Sequence, residues 1–244
     1  MINNHHSFLW SLHYWVGSFC RTIDNNGKAT FPKDVVAISD VITLTSDLGN
    51  HIPDKSWMLY LLELFDRQNV TAELNLICSF NNDGKFDAIY NGVNQYQFKD
   101  IQPLLGHSYM RQIILDAQRK MVSYVLEDTT TGQAEGFNLS FGGNAKLVFE
   151  GGNHFTGIEW WNKMGNNPYP IRYQVEISQL MYGTRDNVSD THPLVYLPYG
   201  SLTPNSEGHS HGYPISFFDA QTKDGCICYS VSSGNCNGGL RYNC

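Results

Sequence analysis

The chain has no apolar run approaching the roughly 18 residues that a membrane-crossing helix needs, and no block of like charges. Cations are scarce: 16 Lys and Arg stand against 23 Asp and Glu, for a net charge of −7 and a pI near 5.6. Nucleic-acid binding needs clustered Lys and Arg, so this balance argues against it. Gly-x-Ser-x-Gly, His-Glu-x-x-His, a phosphate loop and Gly-x-Gly-x-x-Gly are all missing, which disfavours common hydrolases, zincins and nucleotide enzymes. The start, Met1-Ile2-Asn3-Asn4-His5-His6-Ser7-Phe8-Leu9-Trp10, lacks the basic and then apolar build of a signal peptide. No Pro-, Gly- or Ser-rich run divides the 244 residues, so a single sandwich domain is expected over 1–224, with a cysteine-rich tail over 225–244 packed on it.

That tail holds Cys226, Cys228, Cys236 and Cys244, while Cys20 and Cys78 stand apart. Its Gly/Asn/Ser-rich sequence has little to bury, so a covalent staple is expected to order it. Cys-x-Cys is too tight for the paired ligands of a structural zinc site. Disulfides imply an oxidising compartment, hence a secreted or cell-surface protein whose leader lies outside this numbering. Sequons fall at Asn69, Asn138 and Asn187, about the frequency that chance gives.

Short alternating or apolar runs between turn signals recur along the chain and predict an all-β, antiparallel sandwich of jelly-roll type. Expected strands include Leu9–Phe19, Ala37–Thr45, Trp57–Phe65, Thr71–Phe80, Ala88–Phe98, Tyr109–Asp116, Met121–Glu127, Phe137–Phe141, Lys146–Phe149, Gly157–Trp161, Ile171–Met181 and Ile215–Asp219. Trp57, Leu61 and Leu64 also fit one helix face, so Trp57–Phe65 reads both ways. Ala72, Leu74 and Leu76 alternate with Thr71, Glu73 and Asn75; Ile171, Tyr173, Val175 and Ile177 alternate with Arg172, Gln174, Glu176 and Ser178.

Each of these two strands therefore carries a glutamate amid its polar side. Glycoside cleavage needs one protonated acid and one carboxylate about 5–9.5 Å apart, which Glu73 and Glu176 provide if their strands are neighbours on one face. Asn75, Gln174 and the Trp160-Trp161 pair are the expected ligand contacts, the indoles as a floor for a sugar. An ordinary solvated sheet has the same pattern. A glutamine–glutamate pair, Gln174 with Glu176 or Gln68 with Glu150, can instead activate water at acidic pH. Gly208-His209-Ser210-His211-Gly212 sets His209 and His211 where they could grip a metal such as zinc. Asn81-Asn82-Asp83-Gly84-Lys85-Phe86-Asp87 has the spaced oxygens of half a calcium loop without its closing glutamate, and reads better as a hairpin turn. No cofactor is expected, calcium or zinc being the alternatives.

The run Tyr109–Gly132, with Tyr-Met-Arg-Gln-Ile-Ile-Leu-Asp and then Val-Ser-Tyr-Val-Leu-Glu-Asp-Thr-Thr-Thr-Gly, resembles the paired central strands of concanavalin A-like lectin and glucanase sandwiches. That resemblance implies two curved sheets with a concave, ligand-binding face. Val125–Gly132 followed by Ala145-Lys146-Leu147-Val148-Phe149-Glu150 is similar to the strands before the catalytic glutamate of fungal glutamic peptidases. It implies Glu150 as that glutamate and Gln68 as its partner. The acid-x-acid-x-acid cluster of laminarinase-type glucanases is missing. The expected role is recognition or processing of a carbohydrate on the polar sheet face, through Glu73, Gln174, Glu176 and the tryptophans. The alternatives are an acid-acting endopeptidase with a polypeptide substrate, and a non-catalytic surface or assembly protein forming homo-oligomers.

Overall fold

The computed structural model describes residues 13–32, 35–45, 56–65, 71–79, 82–90, 93–116, 121–140, 153–162, 174–184, 197–208, 215–217, 221–223, 226–228, 230–233 and 239–242. Its strands, in chain order, begin with β1 (His13–Ile23), β2 (Ala29–Thr30), β3 (Val35–Leu44), β4 (Ser56–Phe65), β5 (Thr71–Ser79), β6 (Asn82–Tyr90) and β7 (Val93–Gln97). There follow β8 (Ser108–Asp116), β9 (Met121–Asp128), β10 (Gln133–Ser140), β11 (Asn153–Asn162) and β12 (Gln174–Thr184). The last are β13 (Leu197–Pro198), β14 (Ser201–Gly208), β15 (Ile215–Phe217), β16 (Gln221–Lys223), β17 (Cys226–Cys228), β18 (Ser230–Ser233) and β19 (Gly239–Tyr242). The all-β sandwich expected from the alternation is what forms.

The first sheet runs β14-β1-β11-β4-β5-β6-β7, with β2 paired to β1. The second runs β10-β9-β8-β3-β12-β19-β18-β15, with β13 paired to β12. The strands pair antiparallel except β12 with β19, which run parallel. The stretch Trp57–Phe65 is a strand, and it fits a helix pattern because both of its faces are covered. Tyr60, Leu62 and Leu64 enter the main core, while Leu59 and Leu61 join Phe155 in a second cluster. The span expected as one strand over Ala88–Phe98 is two, since β6 ends at Tyr90 and pairs antiparallel with β7, which begins at Val93. The expected Lys146–Phe149 strand lies outside the described residues. Part of the C-terminal tail is built into the sandwich: β18 and β19 extend the second sheet beyond β12. Among the described residues Cys20 and Cys78 are buried free thiols.

The core forms where the inward halves of the two sheets meet. Tyr109, Ile113 and Leu115 of β8 and Val122, Tyr124 and Leu126 of β9 alternate with half-exposed residues, as a half-buried strand requires. The central strand β3 is buried on both faces at nearly every position. At the end of β9, Asp128 stops the strand by accepting hydrogen bonds at Oδ1 from the N–H groups of Thr130 (2.9 Å) and Thr131 (3.2 Å). Gly132, at φ 77°, turns the chain into β10. The β7 and β10 edges are tied across the sandwich: Tyr96 stacks on Phe137, centroids 4.7 Å apart, and donates its hydroxyl to Glu135 Oε1 at 2.7 Å.

Candidate functional site

The face of the first sheet turned away from the main core is neither wholly polar nor wholly apolar. Parity places Leu59, Leu61 and Glu63 of β4 on it, with Glu73, Asn75 and Ile77 of β5 and Lys85, Asp87 and Ile89 of β6. Leu59, Leu61 and Phe155 form its buried apolar floor, with Phe19 and Ile77 packed against them. Gly17 of β1 and Gly157 of β11 face each other in register and keep the neighbouring row low.

Beside that floor the polar groups are close together. Glu63 and Glu73 stand directly opposite across the β4/β5 pair, each half-buried. Directly opposite side chains on an antiparallel pair have Cβ atoms about 4.5–5.5 Å apart, and like charges there are unfavourable. One row further, Asn75 and Asp87 stand opposite across β5/β6, and both are fully buried. Asn75 Nδ2 donates to Glu73 Oε2 at 2.8 Å, and Lys85 Nζ lies 3.3 Å from Asp87 Oδ2. The other amide atom, Asn75 Oδ1, is buried with no hydrogen-bond partner among the described residues. The charge of Glu73 is felt through the sheet: burial first, then Glu73 and Tyr90, push the Tyr124 phenol well up from its ordinary value.

Two carboxylates held face to face, one of them tethered by an amide, can divide acid and base roles between them. A proton on one relieves the repulsion, and the amide donor holds the other ready to act as a carboxylate.

Glu73 and Asn75 lie together on this face. Glu176 does not join them: β12 belongs to the second sheet, where Glu176 pairs in register with Thr43 and Arg241 and alternates with the core residues Val175 and Ile177. The Glu73–Glu176 partnership needed neighbouring strands on one face, and their strands lie in different sheets. Gln174, next to Glu176 in parity, shares that strand. The backbones of Trp160 and Trp161 belong to β11, in register with Met58 and Trp57 of β4; their side chains lie outside the described residues. Glu150, Gln68, His209 and His211 also lie outside the described residues. Among the described residues no group of three or more His, Cys, Asp and Glu is gathered as a metal would need.

Glu63 is the functional candidate that the alternation did not pick out. Its signal is a lone carboxylate in the otherwise apolar run Leu61-Leu62-Glu63-Leu64-Phe65. The buried His154 of β11 was likewise unmarked, and Asp87 was marked only as an oxygen of the half calcium loop. His154 sits inside the sandwich, edge-on to Tyr199 at 5.1 Å. Both of its ring nitrogens are buried without a hydrogen-bond partner among the described residues. Burial, and then the nearby Arg111 charge, lower its pKa to about 3.

Comparison with protein-family models gives no match, and neither does comparison with curated proteins. Solved structures give weak likenesses. Scytalido-glutamic peptidase with a peptide-based transition-state analogue is 13% identical at TM-score 0.44, covering 92% of this chain and 83% of that one. The enzymatically active domain of bacteriophage CBA120 tailspike protein 2 is 12% identical at TM-score 0.40, covering 68% and 25%. Winged bean acidic lectin with methyl-α-D-galactose is 10% identical at TM-score 0.38, covering 62% and 84%.

Proposed function

We propose that the protein is a carbohydrate-processing hydrolase whose reacting groups are Glu63 and Glu73 on the outer face of the first sheet. The observation that supports this is the placement of the two carboxylates directly across β4 and β5, beside an apolar floor. Cβ atoms this close allow the two carboxyl groups to reach the roughly 5–5.5 Å separation of retaining glycosidases. In this reading Glu63 donates its proton to the glycosidic oxygen as the carbon–oxygen bond breaks. Glu73, held by the Asn75 amide, attacks the anomeric carbon and forms a glycosyl ester. Glu63, now a carboxylate, takes a proton from water; the hydroxide releases the sugar and returns Glu73 to its starting form. Its substrate in this reading is a glycan outside the cell, in keeping with the secreted or cell-surface setting that the cysteine-rich tail suggests.

A second reading is an acid-acting endopeptidase, and the observation in its favour is the carboxylate–carboxamide contact of Glu73 and Asn75 at 2.8 Å. A carboxylate could take a proton from water while an amide steadies the oxyanion. His154 weighs against strongly acidic work. A histidine buried neutral down to about pH 3 removes several kcal/mol of stability there, so the site fits mildly acidic to neutral conditions better.

A reducing-sugar assay on pooled polysaccharides at pH 5.5, run beside a casein digest at pH 3 and pH 5.5, separates the readings. Sugar release is expected. Casein cleavage without sugar release would transfer the site to the second reading, and silence in both would leave a non-catalytic surface protein.

A further inference from the structure

Arg111 occupies a core position of β8, between Tyr109 and Ile113, and it is fully buried. All five of its N–H groups are used. Nε donates to Asp40 Oδ1 at 2.8 Å and Nη2 to Asp40 Oδ2 at 2.6 Å, so both oxygens of the β3 carboxylate hold one edge of the guanidinium. The remaining donors cross the interior to the other sheet. Nη1 donates to the carbonyls of Tyr60 (2.8 Å) and Leu74 (3.0 Å), and Nη2 makes a longer contact, 3.4 Å, with that of Leu61.

Tyr60 belongs to β4 and Leu74 to β5, so one nitrogen draws a carbonyl from each of two neighbouring strands. The β4/β5 ladder is interrupted at that level. Pairing runs from Trp57↔Ser79 to Tyr60↔Leu76 and resumes at Glu63↔Glu73, leaving Leu61 and Leu62 unpaired with Leu74 and Asn75. An uninterrupted antiparallel pair would spend the Leu74 carbonyl, which lies in that gap, on a β4 N–H or leave it to β6, and not on a side chain from the other sheet. The gap adjoins the two glutamates on one side, and Asn75 lies in it.

We infer that Arg111, oriented by Asp40, is a positioning residue for the Glu63–Glu73 pair: it takes the Tyr60 and Leu74 carbonyls, holds β4 and β5 apart beneath the site, and so fixes how the two carboxylates face each other. The inference rests on the reading of that pair as the reacting groups. Stability alone gives no reason for the arrangement, because replacing a buried ion pair by apolar side chains of similar volume is commonly neutral or stabilising. A guanidinium has the fixed fork of donors that this bracing needs, whereas an ammonium is a single point charge.

The test pairs Asp40→Leu with Arg111→Met, and adds Arg111→Lys alone as the conservative variant. Amide exchange at Leu62 and Asn75 is followed by NMR, together with a carboxyl titration of Glu63 and Glu73 and the rate of sugar release. In the charge-free double variant the ladder closes. Exchange at those amides should then slow by about tenfold or more. The separation between the two apparent carboxyl pKa values should change by about one unit or more. Sugar release should fall by roughly 10²-fold in kcat with KM little moved, as a small misplacement of reacting groups entails. Arg111→Lys should move the same readouts in the same direction, and it decides the matter if the double variant does not fold. Folded variants with wild-type exchange and titration would overturn the inference. Wild-type protein that releases no sugar from any polysaccharide would remove the catalytic reading, while exchange and titration still decide whether Arg111 sets the geometry.

Discussion

His154 should make this protein lose stability with mild acid, and the size of the loss follows from its surroundings. The ring is completely buried among β-strand neighbours, edge-on to Tyr199, with Arg111 as the charge that acts on it. Its folded pKa is lowered from 6.5 to about 3. Below pH 6.5 the unfolded chain binds a proton that the folded chain refuses, so stability falls as the pH drops from 6.5 to about 3 and then levels off. Each unit corresponds to about 1.4 kcal/mol, which makes the loss about 3 kcal/mol between pH 7 and pH 4.5, out of a typical total of 5–15 kcal/mol. Urea unfolding at both pH values measures it for wild type and for His154→Phe, which keeps an aromatic ring against Tyr199. Packing changes in the variant do not depend on pH, and the carboxylates titrate alike in both proteins. The difference between the two pH dependences therefore isolates the imidazole. The variant should lose about 3 kcal/mol less than wild type on acidification. Equal losses in the two proteins would mean that His154 is not the group that sets the acid sensitivity.

Three further outcomes follow from the same geometry. Gly17→Ala should cost about 3 kcal/mol or more in denaturant unfolding, because its Cβ would lie 2.2 Å from the Thr156 carbonyl oxygen and 2.6 Å from the Gly157 Cα, both backbone atoms that cannot step aside. Asp128 is held below its ordinary carboxylate range: burial works against its charge, but hydrogen bonds from His107 and from the Thr130 and Thr131 N–H groups outweigh it. Asp128→Asn should cost about 1–2 kcal/mol at pH 7, and this cost should fade as the pH falls below 3.8, where the carboxylate of the unfolded wild-type chain takes up its proton before the folded one does. Cys78 is buried and its thiol is pushed up to about 12 by burial, so it should resist iodoacetamide in the native protein and react once urea unfolds it.

The sequence carried the half-buried strands well and the doubly covered ones poorly. Thr71–Ser79, Ser108–Asp116 and Met121–Asp128 alternate cleanly because each buries one face in the main core, and Ala72, Leu74 and Leu76 were legible one by one. In β4 both faces are buried, so period two gives way to a continuous apolar run that a helix also fits. That run also concealed Glu63. The partnership of Glu73 with Glu176 failed for a different reason: alternation fixes the face of a strand, but not the sheet to which the strand belongs. Asp40 and Arg111 left a usable trace, a charge of each sign at core parity in two apolar strands, which only cross-strand pairing over 71 residues could satisfy. His154 left none, since an isolated histidine reads alike inside and outside.

In the proposed reaction Glu73 forms a covalent bond to sugar while Glu63 supplies the proton. The most direct test incubates wild type, Glu63→Gln and Glu73→Gln with a panel of dinitrophenyl 2-deoxy-2-fluoroglycosides at pH 5.5, then maps adducts by peptide mass spectrometry. The good leaving group makes attack independent of the acid, so wild type and Glu63→Gln should both carry one glycosyl group on the peptide containing Glu73, and Glu73→Gln should carry none. On natural polysaccharide each single variant should be slower by roughly 10²–10⁴-fold. A Glu73→Gln protein that releases sugar at the wild-type rate, or an adduct that maps to any other carboxylate, would contradict the account.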